Sequence, residues 1–415
     1  MSAAAQFLDQ AKALSCVHCG LCLSYCPTYL ETGNENDSPR GRIYLMRAIQ
    51  SGQLGAEAAP VRHVDLCLGC RACETACPSG VPYGTLLEQT RDYIEKNHRR
   101  GLFQRLLRWI VIEQVFPFPW RLRLALLPVR VIRLLRLGFL MPRFAREMME
   151  LLPQRLAGGK LPAERLAKRP AKGQVGFVEG CVMPVLFGNT NESSAELLQR
   201  QGWDVITPRG QGCCGALYAH SGQLAKAREC ARRNIAAFEG QALDAIIINA
   251  AGCGSTLVEY GELLKDDPAW SERAEAFSAK VEDLVTWLDE SRFAVSGSDE
   301  KVTYHDACHL CHAQGISAKP RALVKAKSSD RFVELAESDL CCGSAGSYNL
   351  TEPEMASRLQ QRKVQHIIDS GAEVVVTTNP GCLLQIQSGL HKAGAHHVRA
   401  VHIADYLLEG ESDDD

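Results

Sequence analysis

"GCCGALYAHSG" occupies residues 212–222, and "LCCGSAGSYNL" occupies residues 340–350. Two adjacent cysteines followed by glycine, met twice, point to a duplicated unit. Working outward, Cys181, Cys213, Cys214 and Cys253 recur as Cys308, Cys341, Cys342 and Cys382, at offsets of 127 (308−181), 128 (341−213) and 129 (382−253). A near-constant offset over more than seventy residues is the mark of an internal repeat. The flanking text is β-rich: "QVGFVEGC" (174–181), "DAIIINAAGC" (244–253), "KVTYHDAC" (301–308) and "EVVVTTNPGC" (373–382) each read as a buried strand ending in a turn that carries cysteine. Alternation of such strands with helical stretches predicts two similar α/β lobes, residues 172–298 and 299–415.

In open α/β sheets, sites form at the carboxyl ends of strands, so the four cysteines of each lobe are expected to converge. Glycines after Cys214 and Cys342, and before Cys253 and Cys382, allow the backbone to pass close to a bulky group. Four converging thiolates suit a soft metal. At least one lobe is therefore expected to hold one. The second lobe adds His305, His309, Cys311 and His312 around Cys308, and Pro184 stands where the first lobe would repeat Cys311. Cys311 offers lobe two a spare thiolate, while Cys230, in the helical "AKARECARRNIAAF", reads as an ordinary buried thiol.

A different cysteine pattern opens the chain. "CVHCGLCLSYCP" (16–27) and "CLGCRACETACP" (67–78) share the spacing CxxCxxCxxxCP. In such runs three thiolates wrap one iron–sulfur cube and the fourth serves the other cube. The assignment is Cys16, Cys19, Cys22 and Cys77 for one 4Fe–4S cluster, with Cys67, Cys70, Cys73 and Cys26 for the second. Zinc sites use two separated CxxC knuckles instead. Between the runs, Ser38 can cap a helix that starts at Pro39 and places Ile43, Met46 and Ile49 on one face. "YGTLLEQTRDYIEKNHRR" after the second run reads as an amphipathic helix. Residues 1–98 are expected to form a mainly helical two-cluster domain.

Residues 99–171 bridge the two regions. From Arg99 to Arg146 there are eleven Arg and a single acidic residue, Glu113, among heavy apolar side chains that include Trp109, Phe116, Phe118, Trp120 and Phe139. Pro117, Pro119, Pro128 and Pro142 are expected to cut the segment into short helices. Its composition suits the boundary of an anionic membrane, an acidic partner subunit, or Arg stems covering a neighbouring core. Nucleic acid is not indicated, since no binding motif accompanies the basic residues.

The whole chain has 415 residues, 46% hydrophobic and 23% charged, with a net charge of −2. That length exceeds a single core, and the charge argues for no bulk electrostatic partner. Asp9 and Lys12 interrupt any signal-peptide core, and no apolar run of about 18 residues occurs. A cytoplasmic setting is expected, in which the eighteen cysteines are ligands or reactive groups and not a disulfide framework. No GxGxxG follows a strand, so neither a flavin nor a nicotinamide site is expected in this chain.

The two cysteine runs, the "SPRGRIYLMR" segment (38–47) and the duplicated CCG words together resemble the iron–sulfur subunits of bacterial glycolate oxidase, over nearly the whole length. The resemblance implies an α-helical ferredoxin domain followed by two CCG lobes similar to those of heterodisulfide reductase. It implies FAD in partner subunits that oxidise glycolate, and electrons passed toward the membrane quinone pool by a protein peripheral on the inner membrane. The fuller CCG pattern ends in CxxC, whereas Thr256 and Gln385 stand here three residues after Cys253 and Cys382. A four-thiolate cluster remains open to each lobe. Iron–sulfur subunits of lactate and anaerobic glycerol-3-phosphate dehydrogenases share these modules, and a zinc-stabilised scaffold is the alternative of another class.

Overall fold

The computed structural model describes residues 6–135, 149, 152, 158–168, 170–293 and 300–410. Its N-terminal part is helical. Ser38 caps the helix Pro39–Gln50 by accepting the Gly41 N–H at 3.0 Å, and Pro39 takes the first turn, where its missing N–H costs nothing. Ile43 and Met46 bury one face of that helix against Leu86, Leu87 and Ile94 of the helix Tyr83–Asn97, and Ile49 is buried as well. The eight cysteines of the two runs lie in the loops and short turns around this core.

The rest of the chain builds two sheets. The first has the order β1 (Glu164–Arg165), β3 (Trp203–Ile206), β2 (Gly173–Phe177), β4 (Ala245–Ile248), β5 (Val281–Asp283). The second is β6 (Val302–Tyr304), β7 (Val374–Thr377), β8 (Arg399–His402), in that order. All neighbours are parallel except β1, which pairs antiparallel with β3. Parallel strands covered by helices on both faces are near-continuous apolar runs, and β4, β6 and β7 are buried at every residue. The duplication persists in the register: Val175 pairs with Val205 in the first lobe, and Val302 bridges Phe332 in the second, both shifted by 127. The first sheet begins inside the stretch read as a linker, since Glu164 and Arg165 add its antiparallel edge.

One hydrophobic core spans both sheets, joining Val175, Phe177 and Ile247 to Val302, Tyr304 and Val374. The lobes are pinned where their strands end: His402 Nε2 lies 2.9 Å from the Asn249 carbonyl, and the Thr190 hydroxyl donates to Asp405 at 2.7 Å. Helical and lobed parts are also locked together. Arg71 forms a two-pronged pair with Glu259 (Nη2–Oε2 2.8 Å), Arg91 donates to the carbonyls of Cys67 (2.5 Å) and His220 (2.9 Å), and the Tyr348 hydroxyl donates to the Leu66 carbonyl (2.7 Å).

The Arg-rich bridge differs from expectation at Pro128. A helix runs from Pro119 to Leu134 with Pro128 inside it. Proline removes the N–H that residue 124 would accept, but Leu124 sits on the exposed side, where water can take its carbonyl. Leu122 and Leu126 meanwhile bury against Met183, Val185 and Leu186 and hold the turn in place. Arg136, Phe139, Pro142, Arg143 and Arg146 lie outside the described residues. No helix among the described residues is long and apolar enough to cross a membrane.

Candidate metal centres

In the helical domain Cys26, Cys67, Cys70 and Cys73 are buried, Cys16, Cys22 and Cys77 half-buried, and Cys19 exposed. Cys16, Cys22 and Cys77 edge the core that contains Cys67 and Cys73. Cys26 leaves its own run far enough for its charge to act on Cys70 and Cys73 as well as on Cys22. Arg42, from the "SPRGRIYLMR" segment, is buried beside these sulfurs: Nη1 lies 3.9 Å from Cys26 Sγ, and Nη2 donates to Thr28 Oγ1 at 3.0 Å. The Tyr83 hydroxyl and the Gly69 N–H donate to Cys67 Sγ at 3.5 and 3.4 Å. Burial alone would push the Cys67 thiol up, but the Arg42 and Arg91 guanidiniums, with the hydrogen bonds from Tyr83 and Gly69, outweigh it and hold the group below its ordinary value. Burial pushes Cys70 and Cys73 well up and Cys22 to about 11. Arg42 and Arg91 thus bring positive charge, and Tyr83 and Gly69 hydrogen bonds to sulfur, of the kind that tunes thiolate-bound metal.

In the lobes the strand ends converge as their spacing predicts. Contacts between thiols link Cys308 to Cys341, Cys341 to Cys342, and Cys342 to Cys382. The first lobe repeats the chain with Cys181, Cys213, Cys214 and Cys253, the first pair 3.6 Å apart. Gly215 and Gly343 turn the backbone at φ +89° and +87°, and a Cβ on Gly343 would sit 2.7 Å from the Ala356 carbonyl, so no other residue fits there. Both quartets face one cavity of about 270 Å³. Neighbouring thiols favour ionisation of one sulfur at the expense of the others: Cys181 and Cys214 are pushed well up, chiefly by hydrogen bonds to Cys213, which is itself held well down by those bonds. The donor set fits thiolate-bound metal, whose positive charge removes that competition.

Three features escaped sequence reasoning. Cys230, read as an ordinary core thiol, contacts Cys213. His220, inside "GCCGALYAHSG", faces His309 across the cavity with ring centroids 5.2 Å apart, and its Nδ1 lies 3.1 Å from Glu88. Cys311 is absent from the cavity lining. It ends a one-turn helix beginning at Cys308, on the side of Asp306 and Asp339, where burial pushes its thiol up to about 12. Nothing in the spacing of a single histidine marks it as facing another lobe.

The two regions meet at sulfur. Cys70 packs with Cys308 and Cys341 in one buried cluster with Leu66, Leu68, Ala72 and Tyr348. The second cysteine run therefore abuts the second quartet.

Comparison with known proteins agrees with this arrangement. Residues 12–81 match the 4Fe-4S dicluster domain, and residues 175–258 and 302–387 match the cysteine-rich CCG domain. The "Probable glycolate oxidase iron-sulfur subunit" of Bacillus subtilis is 42% identical, over 97% of this chain and 95% of its own length. The glycolate oxidase iron-sulfur subunit of Escherichia coli is 37% identical, over 96% and 94%. The chain belongs to the glycolate oxidase iron–sulfur subunit family. As a member it is an electron-carrying iron–sulfur subunit of an oxidoreductase. Lactate utilization protein A of Exiguobacterium sp. is 33% identical over 55% of this chain and 95% of its own length. A hypothetical protein from Helicobacter pylori shares the fold at a TM-score of 0.53 and 11% identity, covering 92% of this chain and 70% of that one.

Proposed function

We propose that this chain carries electrons from the FAD of partner subunits that oxidise glycolate, through two 4Fe–4S clusters and at least one CCG centre, toward quinone at the membrane surface. Cys16, Cys19, Cys22 and Cys77 would hold one cluster, and Cys67, Cys70, Cys73 and Cys26 the other. Cys181, Cys213, Cys214 and Cys253, with Cys308, Cys341, Cys342 and Cys382, are the proposed ligands in the lobes. Iron–sulfur clusters supply one-electron carriers whose potential follows from charge, hydrogen bonds to sulfur and exposure. The residues of this chain position and tune them. Arg42 and Arg91 bring positive charge to the second run, Tyr83 and Gly69 donate to its first sulfur, and the apolar packing around Cys70 keeps water from the junction with lobe two.

The observation that carries the reading is that junction, because Cys70 shares one buried cluster with Cys308 and Cys341, as a single route through both cysteine systems would require. Similarity over nearly the whole chain favours glycolate over the lactate alternative. Anaerobic purification with the flavin subunits tests it: glycolate addition should bleach the brown iron–sulfur absorption of this chain. A colourless protein containing zinc and no iron would establish the scaffold alternative instead.

A further inference from the structure

The second lobe departs from the first at a position that touches its thiols. The offset of 127 that relates Cys308 to Cys181 relates His305 to Val178. Val178 is a buried apolar side chain in the core of its lobe. His305 is also fully buried, yet neither of its ring nitrogens has a hydrogen-bond partner. An orphaned buried polar group is costly and demands a compensating partner. That partner is indicated by the sulfurs: a His305 ring nitrogen, Cys342 Sγ and Cys382 Sγ all lie within 4.8 Å of one another. The His305 backbone N–H donates to the Val376 carbonyl at 2.9 Å, which fixes the strand end that presents the ring. The Ser338 carbonyl, which accepts the Asp306 N–H at 3.1 Å, lies beside the same ring.

We propose that lobe two holds its metal through a mixed set in which His305 joins Cys342 and Cys382, whereas lobe one uses thiolates alone. The proposal rests on the reading that the lobe-two cysteines bind metal. Imidazole and thiolate together suit a borderline metal, either iron in a sulfide-bridged cluster or zinc. A neutral imidazole in place of a thiolate leaves an iron centre one charge less negative, and such replacement raises the reduction potential. Lobe two, which abuts the second cysteine run, would then be the electron-accepting end of the route.

The full-length protein, purified anaerobically as wild type, His305→Val, His305→Cys and Cys342→Ser, tests this. Val is what the equivalent position of lobe one already carries, so the fold should tolerate it. Iron, zinc and sulfide are counted, and pulsed EPR is recorded on protein with ¹⁵N-labelled histidine, with X-ray absorption at both metal edges covering a zinc centre. The expected result is a histidine nitrogen coupling, or a nitrogen scatterer at the zinc edge, that is lost in His305→Val together with the lobe's metal. In His305→Cys the metal returns without the nitrogen. Metal lost in Cys342→Ser but fully retained in His305→Val, with its spectrum unchanged, overturns the histidine ligand and spares the reading beneath it. Metal content unaffected by Cys342→Ser overturns both.

Discussion

At Cys77 reach decides which cluster the thiolate serves. The fourth cysteine of a CxxCxxCxxxCP run is carried past its own cube by the extra residue and the following proline, so it serves the neighbouring cube. Cys77→Ser should therefore perturb the EPR signal of the cluster held by Cys16, Cys19 and Cys22, and leave that of Cys67, Cys70 and Cys73 largely intact. Loss of the same signal in Cys77→Ser and Cys73→Ser would sink the crossed assignment. Asp283 poses a different residue-scale question. Its Oδ1 accepts the Val285 N–H at 3.1 Å, whereas Oδ2 is buried without a partner. Burial raises its carboxyl from the ordinary 3.8 to about 7, and the charge of Glu282 adds to the rise. Between pH 4 and 7 the folded protein thus holds a proton that the unfolded chain releases, so this group makes stability fall as pH rises through that window, by roughly 4 kcal/mol in total. Asp283→Asn keeps the acceptor for Val285 and cannot ionise. Urea denaturation of the variant should show that slope removed, and a slope identical to wild type would mean that the carboxyl is ionised in the fold.

The helix Pro119–Leu134 shows what a sequence reveals of an element and what it withholds. Its composition announced an unusual surface, and its start followed from Pro119, but the passage through Pro128 depended on Met183, Val185 and Leu186, which are distant in the chain. The strands ending in Cys181, Cys253, Cys308 and Cys382 were legible because buried parallel strands are unbroken apolar runs. β1 was not, since two residues, Glu164 and Arg165, have no periodicity to read. The outer side of the Pro119–Leu134 helix leaves Trp120, Leu124, Leu127, Val131 and Leu134 exposed, with Leu102, Leu106 and Trp109 exposed on the preceding turns. An apolar face of this breadth, bordered by Arg, matches a helix lying in a lipid boundary. Leu124→Glu with Leu127→Glu should reduce sedimentation with anionic vesicles by at least tenfold, and raised salt should weaken binding of the wild type through its Arg residues. Undiminished sedimentation of the double variant, with loss of the flavin subunits on purification, would assign the face to a protein partner.

Across the whole molecule the cysteine repeat foretold two similar lobes, but not that their quartets would share one cavity, nor which ferredoxin cysteine would touch them. Such facts belong to docking, which is set by pairs far apart in sequence: Arg71 with Glu259, Arg91 with the His220 carbonyl, Tyr348 with the Leu66 carbonyl. Arg71, Arg91 and Tyr348 are buried, so loss of these partners would leave a buried polar group unpaired, and the contacts hold the two systems at fixed separation. A consequence can be measured. Cys70 shares a buried cluster with Cys308 and Cys341, and their charges lie close enough to raise one another's ionisation cost. Paramagnetic centres bound on the two sides of that contact must interact magnetically. Partial reduction should give an EPR signal from the Cys67–Cys70–Cys73 cluster that is broadened and relaxes fast. In Cys308→Ser or Cys341→Ser, with lobe-two metal lost, the same signal should sharpen and relax slowly, while the signal of the Cys16–Cys19–Cys22 cluster stays unchanged. Should relaxation remain slow in wild type although both centres carry unpaired spins, the electron route through Cys70 would have to be abandoned, and the exposed run at Cys19 would become the exit from the helical domain.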